Sequence, residues 1–174
     1  VKRNRLKTLL THDINLFAYH LPLDGHQELG NNVELAKLLD FQEVQFLDGP
    51  YGHGVGCKGK LLGEHSVEQL TSTITEKLNR QPQVIKVSDK PIKTIAWCTG
   101  AAQDFISYAA GLNVDAFISG EISEQTYHLA KEYGIHYFAC GHHATERYGI
   151  KALGEYLAQR FDIDVEFVDI DNPV

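Results

Sequence analysis

Between Thr94 and Phe161 the chain repeats one phrase three times: a short apolar run, a Gly, then a longer stretch with helical spacing. TIAWCTG (Thr94 to Gly100) precedes AAQDFISYAAGL. DAFISG (Asp115 to Gly120) precedes EISEQTYHLAKEYG. IHYFACG (Ile135 to Gly141) precedes HHATERYGIKALGEYLAQRF, and DVEFVDI (Asp164 to Ile170) closes the chain. The runs are rich in β-branched and aromatic residues, as strands are. Phe105, Tyr108, Ala109 and Leu112 recur at helical spacing, as do Ile150, Leu153, Leu157 and Phe161. Strand alternating with helix predicts an α/β fold with a largely parallel sheet flanked by helices. Right-handed crossovers place all three Gly turns on one sheet edge. Thr99, Gln103, Glu121, His142, His143 and Glu146 are expected to converge there. The spacing is too uneven for a solenoid.

That edge carries chemistry. His142 and Glu146 are four residues apart, so a helix stacks them on one face. An imidazole beside a carboxylate offers two lone-pair donors at neutral pH, which suits a divalent metal. Most such pairs are surface pairs; what favours the metal here is a position just after a Gly at a strand end, where open α/β sheets bind ligands. Upstream, His20 and Asp24 follow the apolar run LFAYHL. Glu121 reads as a general base or as an orienter of a metal ligand, and equally as a helix N-terminal carboxylate. His143 reads as a donor supporting the site or as a turn residue. Thr99 and Gln103 are placed to hydrogen-bond a substrate, though polar residues often open helices.

The first third also reads as α/β. RLKTLLTH is a helix, NLFAYHL a buried strand, and NNVELAKLLDF a helix capped by Asn31 or Asn32. HSVEQLTSTITEKLN is a helix with Ser66 as cap and Gln69 at the capping-box position. QVIKV is a strand. GPYGHGVGCKGKL reads as a mobile Gly-rich connector, with His53 as a candidate ligand or subunit contact. A boundary near Ser88 to Ile92 divides residues 1–88 from 89–174. The chain opens on Val and the basic run Lys2, Arg3, Arg5, Lys7, the expected mark of a processed or truncated chain.

Composition narrows the function. A net charge of −7 disfavours general duplex binding unless the basic residues cluster. No apolar run is long enough to span a membrane, and no signal-peptide pattern opens the chain, so a cytoplasmic protein is expected. Cys57, Cys98 and Cys140 form no CxxC pair; they read as reduced thiols, the last two as core residues. His12, His26, His65, His128 and His136 read as surface or loop histidines.

HLPLDGHQELGNN, AWCTGAAQDFI, DAFISGEISEQTYHLAKEYG and GHHATERYGI, in this order, resemble the NGG-interacting-factor-like family, whose members are often labelled GTP cyclohydrolase I type 2 homologs. The resemblance covers nearly the whole chain. It implies two interleaved α/β halves in three layers, two divalent metal ions (Zn, Fe, Mn, Ni or Mg), and a homo-hexameric ring of dimers. It assigns Asp24, His142 and Glu146 as metal ligands and His20 as a residue lining the same site. It further implies that an N-terminal part, a strand bearing another His pair, is missing from this chain. The activity it implies is metal-dependent hydrolysis of a nucleotide-like or other small substrate, with Glu121 and His143 as candidate catalytic residues. The alternative is a non-enzymatic metal-binding ring around nucleic acid, which requires Lys2 to Lys7 and Lys58/Lys60 to line a basic pore.

Overall fold

Alternation along three strands decides the architecture. Ile95 and Trp97, then Ala116 and Ile118, then Phe138 pack into one buried cluster. Ala96 and Cys98, Phe117, then Tyr137 and Ala139 pack into another. Successive strand side chains point to opposite faces, so a sheet with both faces covered needs apolar residues at every position. The strands are β1 (Gln42–Gly49), β2 (Gly52–His65), β3 (Gln83–Ile85), β4 (Ile92–Cys98), β5 (Ala116–Ser119) and β6 (His136–Ala139). The helices are α1 (Lys2–Thr11), α2 (Leu21–Asp24), α3 (Asn31–Leu38), α4 (Val67–Leu78), α5 (Ile106–Ala110), α6 (Glu124–Tyr133) and α7 (His142–Phe161); a 3-10 turn, Gln103–Phe105, leads into α5. This computed structural model describes every residue but Tyr51, and the His53 side chain is also outside the described residues. The contact roles expected of Tyr51 and His53 therefore lie outside the described residues.

Residues of α3 and α4 cover one face of the sheet, joined by Tyr148 of α7; residues of the 3-10 turn, α5 and α6 cover the other. Trp97, Tyr137, Phe105, Phe117 and Phe138 are fully buried. Burying side chains of this size stabilises by about 1.5–3 kcal/mol each. Phe105 stacks on Phe117 at 5.8 Å between centroids, and Phe117 meets Tyr137 at 5.7 Å. The Ser66 capping box on α4 forms as expected, with Ser66 Oγ accepting from Gln69 N–H and Gln69 Oε1 accepting from Ser66 N–H.

The sheet is mixed rather than largely parallel. Its order is β1-β2-β4-β5-β6-β3, drawing strands from both sides of Ser88. Only β4–β5 and β5–β6 pair in parallel; β1–β2, β2–β4 and β3–β6 are antiparallel. The additions come from the segment read as a connector. Residues 52–65 form the long strand β2, paired with β1 in a hairpin. Its glycines mislead because they serve packing: a Cβ on Gly56 or Gly49 would lie 2.7 or 2.6 Å from the Phe105 ring. Glycine inside a strand marks such close approach.

Two expected strands are absent among the described residues. Residues 14–20 and 163–174 run without strand pairing, and Leu16, Phe17 and Ile170 are exposed. A strand pattern needs a neighbouring ladder, and neither segment lies against one here. Gly30, not Asn31 or Asn32, is the N-cap of α3. Among the described residues no helix is long and apolar enough to cross a membrane.

Candidate metal and substrate site

Three Gly turns leave the C-terminal ends of β4, β5 and β6 and are laced to one another. Gly120 N–H donates to Gly100 C=O at 2.9 Å, and Gly141 N–H donates to Gly120 C=O at 2.8 Å. Gly100 has φ +69°, a left-handed conformation that glycine adopts without a Cβ penalty. The position also lacks space. A Cβ there would sit 2.0 Å from Glu146 Oε1 and 3.2 Å from His142 Nε2. Thr145 Oγ1 accepts from Gly100 N–H at 3.1 Å and donates to Gly141 C=O at 2.9 Å, pinning the first turn of α7 onto the edge.

His142 opens α7 between two carboxylates. Its Nδ1 lies 2.6 Å from Glu121 Oε1 and its Nε2 lies 3.0 Å from Glu146 Oε2. Burial disfavours charge on the ring. The Glu121 hydrogen bond and the Glu146 and Glu121 charges outweigh it, so the His142 pKa is raised. Burial raises Glu146 too; His142 opposes this, while the nearby Asp24 charge adds to it. Asp24 ends α2 and is buried, with Oδ1 accepting from Asn31 Nδ2 at 2.6 Å. Among the described residues no Lys or Arg forms an ion pair with Asp24 or Glu146.

His20, Asp24, Thr99, His142 and Glu146 line one cleft of about 260 Å³, walled by Leu21, Val55, Ala101 and Ala102. Glu121 stands behind His142. Gln103 does not line this cleft, and its Oε1 is buried without a partner among the described residues. His143 faces the other way: its Nε2 lies 2.9 Å from Asp169 Oδ1, whose second oxygen accepts from Arg147 at 3.1 Å. A wider hollow of about 480 Å³ lies there, bounded by His143, Arg147, Phe167 and Asn172, and shares His142 and Glu146 with the cleft. The cleft is the better candidate because the buried carboxylates meet in it.

Donor chemistry in the cleft suits a divalent cation. Two buried carboxylates lack a cationic partner beyond histidine, and a carboxylate on Nδ1 leaves Nε2 as the free lone pair, the usual support for a metal-binding imidazole. No three His, Cys, Asp or Glu side chains stand at ligand spacing among the described residues. The fit is therefore one of donor type, with the donors distributed around the cleft.

Asn31 and Asn32 escaped the sequence reading. Asn31 Oδ1 accepts from Gly149 N–H at 2.9 Å. Asn32 donates to Asp24 C=O at 3.2 Å and accepts from Thr99 N–H at 3.1 Å. Adjacent buried amides thus tie α2, the end of β4 and α7 together. The doubled Asn before an apolar run was the available signal. His136, expected at the surface, is buried; Val87 N–H donates to its Nδ1 at 3.3 Å, and burial lowers its pKa. All three cysteines are free and buried; burial alone pushes the Cys57 thiol up to about 12, and burial also raises Cys98 and Cys140. Such thiols are poor nucleophiles.

The family model Duf34/NIF3 (NGG1p interacting factor 3) matches residues 1–173. The GTP cyclohydrolase 1 type 2 homolog of Yersinia pestis is 52% identical over 176 residues, spanning 99% of this chain and 68% of its own length. A solved structure of protein ybgI, of unknown function, superposes with a TM-score of 0.91 at 48% identity, covering 99% of this chain and 68% of its own. TTHA1606 from Thermus thermophilus gives a TM-score of 0.86 at 28% identity, covering 99% and 67%.

Proposed function

This chain belongs to the Duf34/NIF3 family, and on that premise we propose a divalent-metal-binding protein that hydrolyses a small nucleotide-like or heterocyclic substrate in the cleft. One observation carries the reading: His142 stands with Nδ1 on Glu121 and Nε2 on Glu146, beside the buried Asp24. Asp24, His142 and Glu146 would hold the metal, with His20 at the rim. A bound divalent cation supplies Lewis acidity toward a carbonyl or phosphoryl oxygen. Glu121 keeps the imidazole proton on Nδ1 and fixes the ring, which assigns it to positioning. His143 is occupied by Asp169, so its part is to hold residues 167–174 near α7. The relatives' name places guanine nucleotides first on the substrate panel; fold alone does not identify a substrate.

The test uses purified, metal-supplemented protein on a panel of nucleotides and heterocycles, with and without chelator. Bound metal is measured in parallel in Glu146→Gln. Turnover lost on chelation, together with metal affinity weakened at least about tenfold in the variant, is expected. Unchanged metal stoichiometry and affinity in Glu146→Gln would overturn the ligand assignment.

The same premise extends to assembly as a homo-hexameric ring of dimers. It is supported by exposed apolar side chains on α1 and α7, among them Leu6, Leu10, Tyr156 and Phe161.

A further inference from the structure

Thr99 follows β4 directly and is 6% exposed. Its Oγ1 is buried and has no hydrogen-bond partner among the described residues. The other buried hydroxyls are satisfied: Ser119 donates to Gly100 C=O, Thr145 to Gly141 C=O, and Thr126 pairs with Ser123. A buried hydroxyl left without a partner is destabilising, and native structures keep few of them. This one is held in place, since Asn32 fixes the Thr99 backbone N–H at 3.1 Å. It faces the cleft that Asp24, His142 and Glu146 line.

The rest of that cleft describes what would satisfy the hydroxyl. Leu21, Val55, Ala101 and Ala102 form apolar walls, and no Lys or Arg is among the lining residues, so nothing from this chain's cations greets a phosphate. About 260 Å³ is below the roughly 300 Å³ at which pockets for drug-sized ligands begin. The occupant is therefore small, uncharged, apolar on one side and polar at one edge.

We propose that Thr99 is a specificity-determining contact of the cleft, its hydroxyl hydrogen-bonding the carbonyl or ring N–H of a small cyclic amide. The inference rests on the reading of this cleft as the substrate site. It explains why a stabilising replacement has not been made at a fully enclosed position: a methyl there suits the empty cleft and fails the filled one.

Dihydrouracil serves as the probe, titrated by ligand-observed NMR into wild type, Thr99→Val and Thr99→Ser, with metal content and thermal midpoint measured on the same samples. Thr99→Val keeps the shape and removes the hydroxyl. It is expected to raise the midpoint of the ligand-free protein by about 2–4 °C and to weaken the probe on the order of tenfold. Thr99→Ser is expected to bind like wild type. A lowered midpoint in Thr99→Val, or equal weakening in both variants, would reassign Thr99 to packing. Failure of the probe to bind wild type would overturn the proposal as well. Wild type that binds the probe but takes up no metal would sink the metal reading and leave the Thr99 contact standing.

Discussion

Replacing Gly100 with Ala tests the site against its backbone. Gly100 has φ +69°, and Gly134, at the end of α6, has φ +67°. An alanine pays the same left-handed penalty at both, about 1–2 kcal/mol. Their surroundings differ. A Cβ at Gly134 meets nothing within 4 Å, whereas one at Gly100 lies 2.0 Å from Glu146 Oε1 and 2.8 Å from Glu146 Cδ. Real Cβ contacts stay at or beyond about 3.0 Å, so the carboxylate must retreat by at least 1.0 Å, the difference of the two distances. A flexible side chain moves that far at little cost to folding. A metal ligand does not, because coordination distances hold within about 0.2 Å. Both variants should therefore lose about 2–8 °C in thermal midpoint. Gly100→Ala alone should lose divalent-metal affinity, by an order of magnitude or more, in a competition titration with a chromogenic chelator. Equal metal affinity in the two variants would refute the placement of Glu146 as a ligand held under the Gly100 turn.

His142 should titrate above the ordinary imidazole value of 6.5 in the metal-free protein. A raised folded pKa gives stability that is fully present below the unfolded value and is lost as pH rises through the folded one. NMR of the ring should show the pKa fall in Glu121→Gln; no change would remove Glu121 as its partner. For assembly, light scattering of the full protein at micromolar concentration should give a hexamer, and a monomer would exclude the ring.

The three strand–Gly–helix phrases were legible because both faces of β4, β5 and β6 are buried, which leaves continuous apolar runs with Gly at the exits. The same logic brought His142, Glu146 and Glu121 to one edge without any knowledge of side-chain positions. The hairpin was not legible: Gly49 and Gly56 make room for Phe105, a residue some fifty positions away, and no local pattern announces that. The opposite error occurred at NLFAYHL and DVEFVDI, where strand-like alternation has no ladder to join. Asp24 and His20 entered through the family resemblance, since a lone Asp after a short turn carries no signal of its own. Asn31 and Asn32 were read as caps because short polar residues at a helix start usually are. Their actual partners are 67 and 118 residues away.

That pair of asparagines has a dynamic consequence. Asn32 closes on Thr99 and Asp24, and Asn31 closes on Asp24 and Gly149, so the cleft's two sides share one buried clasp. Opening it exposes amides that have traded water for each other, and it breaks the Trp97 indole bond to Asn32 C=O as well. Breathing of the cleft thereby becomes a concerted, sub-global event, and the Thr99 and Gly149 amide protons exchange with solvent together.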